Sequence, residues 1–186
     1  MSAAKKATAG LLTLCALTAH ATTLLRVDVD DLARRAPVVV RGKVAKVQSH
    51  WSGDHMRILT DVDITVDEAL KGTPEQTVRI TQPGGTVGDI GQKIAGLASF
   101  KEGEQVVVFL ERQSSPGYRV AGMAQGKFKL TPASDGKGTL AVPESTGDAE
   151  LLDSKTHAPV APNAEAMSLE SLRSHVKAAA TPKAAE

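Results

Sequence analysis

Six consecutive residues, His50-Trp51-Ser52-Gly53-Asp54-His55, gather the side-chain types that hold metals. Two imidazoles and a carboxylate are zinc-ligand chemistry, but structural and catalytic zinc sites need three or four such ligands. The stretch has neither the H-E-x-x-H spacing nor a third histidine close by. It reads instead as a polar surface turn built on Ser52-Gly53-Asp54, with no metal and no cofactor expected. Two readings of Trp51, the one tryptophan, stay open: a contact for a ligand, or a plug at the end of the fold.

A second stretch, Pro83-Gly84-Gly85-Thr86-Val87-Gly88-Asp89-Ile90-Gly91, is glycine-rich in the manner of phosphate-cradling loops. It lacks the G-K-[ST] of a P-loop and is not G-x-G-x-x-G. Turns that need positive φ account for these glycines. Asp61 and Asp63 are paired carboxylates at strand spacing, on a face that alternation assigns to solvent rather than to acid–base work. There is no G-x-S-x-G nucleophile motif, and the single cysteine is Cys15.

Composition narrows the function classes. Hydrophobic residues make up 41% and charged residues 23%, which is globular rather than disordered. Aromatics are 3% and the formal charge is +1 over 186 residues. Neither base-stacking platforms nor a basic phosphate-binding surface is expected, so no nucleic-acid partner is expected either.

Lys5 and Lys6 precede a small-residue apolar run over 7–19, and Ala19-His20-Ala21 has the A-x-A form of a cleavage site. This order is that of a secretory signal peptide over 1–21. Lipidation of Cys15 is disfavoured because Leu14 before it is not small. The chain is therefore expected to be exported, periplasmic or secreted. Beyond residue 21 it carries 20 basic and 21 acidic residues, no cysteine, and no apolar run long enough to span a bilayer. Without disulfides, an exported domain must be stabilised by its core alone.

The elements that must position these residues follow from periodicity. An extended lead and a short helix occupy 22–36. Asp28 is the N-cap, Asp30 and Asp31 lie in the first turn, Arg34 and Arg35 in the last, and Pro37 ends it. Residues 37–142 read as strands. The first, from Val38, changes parity near 44–45, which implies a β-bulge, and Gly42 permits a bend. A second over 57–67 alternates cleanly, a third is 77–81, and a fourth over 104–112 is a nearly continuous apolar run. A fifth is 117–121, and 127–130 with 138–142 form a hairpin. Val106, Val108 and Leu110 are expected in the core, with Lys101, Glu102 and Glu104 tolerant of alanine. Residues 143–167 read as a linker. Residues 168–178 form a helix capped by Ser168, with Leu169, Leu172 and Val176 as its apolar stripe, and 179–186 are a frayed tail. The fold class is all-β: a small OB-like antiparallel barrel of about five strands with an N-terminal and a C-terminal helix.

Three segments carry a resemblance: Ala36-Pro37-Val38-Val39-Val40-Arg41-Gly42-Lys43-Val44, Glu68-Ala69-Leu70-Lys71-Gly72, and Phe100-Lys101-Glu102-Gly103-Glu104-Gln105-Val106-Val107-Val108-Phe109. The series resembles the netrin-like domains of the OB-fold superfamily, which include the tissue inhibitors of metalloproteinases. It is closer still to small exported bacterial proteins of unknown function, with Gln82–Gly88 and Ala124–Phe128 as further landmarks. The resemblance implies a fold. It does not carry over the inhibitory mechanism, which needs an N-terminal cysteine where this chain is expected to begin at Thr22.

The function expected on these grounds is a non-catalytic binding module whose partner is another envelope or extracellular protein. Its ligand-facing surface is expected at His50, Trp51, Asp54 and His55 together with Gly84, Gly85 and Gly88. The alternatives are a protease inhibitor acting without the cysteine, and an enzyme whose site is split among distant residues.

Overall fold

Fourteen consecutive residues, Val38–Trp51, form one long bent strand around which the other elements are arranged. A computed structural model of the chain describes residues 22–113, 117–162 and 165–180. The signal peptide expected over 1–21 and the last six residues of the expected tail lie outside the described residues. In chain order the elements are β1 (Thr23–Leu25), α1 (Val29–Arg35), β2 (Val38–Trp51), β3 (Ile58–Lys71), β4 (Thr77–Pro83), β5 (Gly85–Val87), β6 (Ile90–Gln92), β7 (Gln105–Arg112), β8 (Tyr118–Val120), β9 (Lys127–Pro132), β10 (Thr139–Pro143), β11 (Glu150–Leu152), β12 (Met167–Ser168) and α2 (Leu169–Ala180).

Five of these strands close a barrel in the order β2-β3-β4-β8-β7 and back to β2. Every pairing in the ring is antiparallel except β4 with β8, where Ile80 meets Tyr118 in parallel. This is the OB-like barrel, and β2 can serve both sides of it because it bends. Its register with β3 shifts between Val39 and Val40, Arg41 and Gly42, and Val44 and Lys46. The last shift is the bulge that the parity change implies. At Gly42 a β-carbon would stand 2.2 Å from the Thr65 carbonyl oxygen, so the strands approach there only because the residue has no side chain.

The apolar residues divide between two cores. Val40, Val44, Val62, Ile64, Val78, Ile80, Val106, Val108 and Leu110 fill the barrel. Val39, Val107, Phe109 and Phe128 point outward from it and are covered by Leu32 and Ala33 of α1 and by Leu169, Leu172 and Val176 of α2. Strand β7 thus contributes to both, which explains why Val106 to Leu110 is uninterruptedly apolar.

The helices form where their signals stand. Asp28 accepts from the Asp31 amide at 2.8 Å as N-cap of α1, and Ser168 accepts from the Ser171 amide at 3.0 Å at the start of α2. Helix α2 continues to Ala180, two residues past the expected end. Strands β9 and β10 form the expected hairpin and extend the sheet beyond β7. The segment expected as a linker is built into the fold. Within it β11 pairs in parallel with β1, and Ala149 and Leu151 are buried. Gln125 ties β1 down further, accepting from the Val27 amide at 2.9 Å and donating to the Leu25 carbonyl at 3.0 Å.

Candidate functional site

The turn joining β2 to β3 is held by its own polar groups. The Ser52 amide donates to the Arg57 carbonyl at 2.8 Å, and the His55 amide to the Ser52 carbonyl at 2.8 Å. The Ser52 hydroxyl is buried, donates to Asp54 and accepts from the Arg57 amide at 3.1 Å. Those bonds, first that of Ser52 and then that of the Met56 amide, hold the Asp54 carboxyl below its ordinary value. His55 is exposed, with a left-handed φ of 56°. His50 has its Nδ1 at 2.9 Å from the Trp51 carbonyl and its Nε2 at 3.3 Å from Asp61. His50 and Asp54 are thus engaged with different partners, and His55 is exposed. Among the described residues no three His, Cys, Asp or Glu side chains are grouped to hold a metal ion.

The glycine-rich stretch is a second, smaller hairpin of β5 and β6, and its base is bonded to the stem of the first. The Gly84 amide donates to the Ile58 carbonyl at 2.8 Å, and the Ile58 amide donates to Gln92 Oε1 at 3.1 Å. The buried Thr60 hydroxyl donates to the Gly84 carbonyl at 2.7 Å and lies 2.9 Å from the Ser49 hydroxyl. Gly85 sits directly on these two hydroxyls. Its φ is 124°, and a β-carbon there would stand 2.3 Å from each. The structure therefore brings the His50–His55 turn and the Gly84–Gly91 segment to one end of the barrel. It gives Gly84 and Gly85 a packing role, while Gly88 stands in open space at the hairpin turn.

What the two turns display differs from what their sequence suggests. Among the described residues three large apolar side chains are exposed: Leu25, Met56 at 82% and Ile90 at 56%. Met56 belongs to the first turn and Ile90 to the second. Trp51 is half-buried at the last pair of the β2–β3 ladder, opposite Ile58. The sequence signal for Met56 is that of a lone apolar residue in a polar turn, and Ile90 lies in a glycine-rich hairpin, opposite Val87, too short to cover it.

The paired carboxylates of β3 are engaged across the sheet. Asp63 receives Arg79 at 2.7 and 2.9 Å, and that bidentate bond holds the Asp63 carboxyl below its ordinary value. Asp61 accepts from the Thr81 hydroxyl at 2.6 Å.

A charged cluster is centred on Lys127. Lys127 is 1% exposed. Its ammonium donates to Glu104 at 2.9 Å, to Glu144 at 2.9 Å and to the Ser99 carbonyl, and lies over the Phe100 ring. All three ammonium protons are thus used. Glu104 thus holds this lysine, and the exposed Glu102 accepts from the Val47 amide at 3.0 Å, contacts that the sequence does not announce for either residue.

Comparison of the chain with protein-family models, with curated proteins and with solved structures gives no match.

Proposed function

We propose that the protein is an exported, non-catalytic binding module that engages another protein through the tips of the β2–β3 and β5–β6 hairpins. The observation that carries this reading is the placement of Met56 and Ile90. They are two of the three exposed large apolar side chains among the described residues, on two turns whose bases are bonded together. A backbone already held by hydrogen bonds need not be ordered on binding, and burial of exposed apolar side chains is a favourable term in protein association. At His50 the two ring nitrogens face the Trp51 carbonyl and Asp61, so at the hairpin end this histidine is engaged within the fold. Export is supported by the order of charges, apolar run and small residues over 1–21.

The test is site-specific photo-crosslinking in the native envelope. A photoreactive residue at 56 or at 90 is expected to give the same discrete protein adduct, and one at the exposed Lys129 of β9 is expected to give none. An adduct from Lys129 alone would place the interface elsewhere.

A further inference from the structure

Between α1, the β9–β10 hairpin and β11 lies a cavity of about 150 Å³, distinct from the hairpin end. Its wall is mainly apolar: Val27, Val29, Leu32, Phe128, Leu151 and Met167. Natural cores leave few gaps larger than a single water. A mainly apolar pocket of this volume, partly open to solvent, admits one benzene-sized ring.

The polar groups in the wall define what can enter. Gln125 is committed to the Val27 amide and to the Leu25 and Gly122 carbonyls. Glu144 is committed to Lys127, which it shares with Glu104, and to the Ser99 hydroxyl. Thr146 differs. It is 3% exposed, and its hydroxyl is buried with no hydrogen-bond partner among the described residues. Thr146 is a wall residue whose hydrogen-bonding capacity is unmet, and an occupant with a polar group can supply the missing partner. Glu144 and Glu165, both in the wall, disfavour an anion. A cation has no unpaired buried carboxylate to meet.

We propose that this cavity binds a small neutral molecule with an apolar, ring-sized body and one hydrogen-bonding group, which Thr146 meets. The inference is independent of the protein-binding reading of the hairpin tips.

The test uses the full exported chain with labelled Val, Leu, Ile and Met methyl groups, titrated by NMR with phenol, benzene and benzoate. Phenol is expected to move the methyl signals of Val27, Leu151 and Met167 saturably, while those of Val62 and Ile64 in the barrel stay put. Benzoate is expected to move none. Thr146→Val is expected to weaken phenol about fivefold, the loss of one modest hydrogen bond, and to leave benzene unchanged. Leu151→Trp should fill the void and abolish both; if that variant does not fold, Thr146→Val still decides. The proposal is overturned if neither phenol nor benzene moves the wall methyls, if benzoate binds as well as phenol, or if Thr146→Val leaves phenol unaffected.

Discussion

The hydroxyl of Thr60 donates to the carbonyl of Gly84 across 2.7 Å, and this buried bond hangs the glycine-rich hairpin on the stem of β3. Gly85 completes the joint by leaving room for the Thr60 and Ser49 hydroxyls. Gly85→Ala would place a methyl group 2.3 Å from both, on a backbone with φ of 124°. It should destabilise the fold by about 2 kcal/mol. Thr60→Val keeps the shape, loses the bond and should cost about 1 kcal/mol. Urea denaturation of both variants checks the order; equal stability of Gly85→Ala and wild type would contradict the joint.

Lys127 joins the start of β7 to the end of β10 through Glu104 and Glu144. Lys127→Met leaves two largely buried carboxylates without their ammonium. A loss of about 3 kcal/mol is expected, as for other buried pairs broken on one side. Lys127→Met with Glu104→Gln and Glu144→Gln should recover part of it. A single variant as stable as wild type by denaturant unfolding would remove the cluster from the account.

The bidentate Asp63–Arg79 pair gives the fold an acid-sensitive element. Asp63 has its carboxyl pushed below the ordinary 3.8 by its bond to Arg79. The folded state therefore binds that proton less readily than the unfolded chain. The pair's contribution is complete above about pH 4 and is lost as pH falls through the lowered folded value. Asp63→Asn should be less stable than wild type at neutral pH, and the difference should shrink below pH 4. Thermal midpoints measured from pH 7 down to pH 2 check the sign.

The two faces of β7 can be separated by mutation. Val108 lies in the barrel core, and truncation to alanine should cost about 1–3 kcal/mol by lost burial plus a cavity. Leu172, fully buried, holds α2 on the outer face, and Leu172→Ala should cost about 2–5 kcal/mol. If Val108→Ala left thermal unfolding unchanged, the strand assignment would fail.

Much of the barrel is legible in the residues because its signals are local. The Asp28 cap, the parity change near Val44 and the apolar run of β7 each sit within a few residues of what they specify. The pairing of β1 with β11 is not local. Three residues at each end of a long separation carry no period, and the Ala, Pro and Ser around Leu151 resemble a linker. Lys127 is equally opaque, since a lysine reads as surface until Glu104, Ser99 and Glu144 are brought to it from distant segments. At the candidate site the segments are legible but the displayed side chains are not. Glycines and histidines draw attention there, yet Gly84 and Gly85 serve packing while Met56 and Ile90 face solvent.

The most direct measurement for the hairpin-tip interface is a pair of readings on one double variant, Met56→Ser with Ile90→Ser. Both side chains are exposed, so the thermal midpoint should move by no more than about 3 °C. Recovery of the protein identified by crosslinking at 56 and 90 should fall at least about tenfold, as loss of interface anchors requires. An unchanged midpoint with undiminished recovery of that partner would contradict the account.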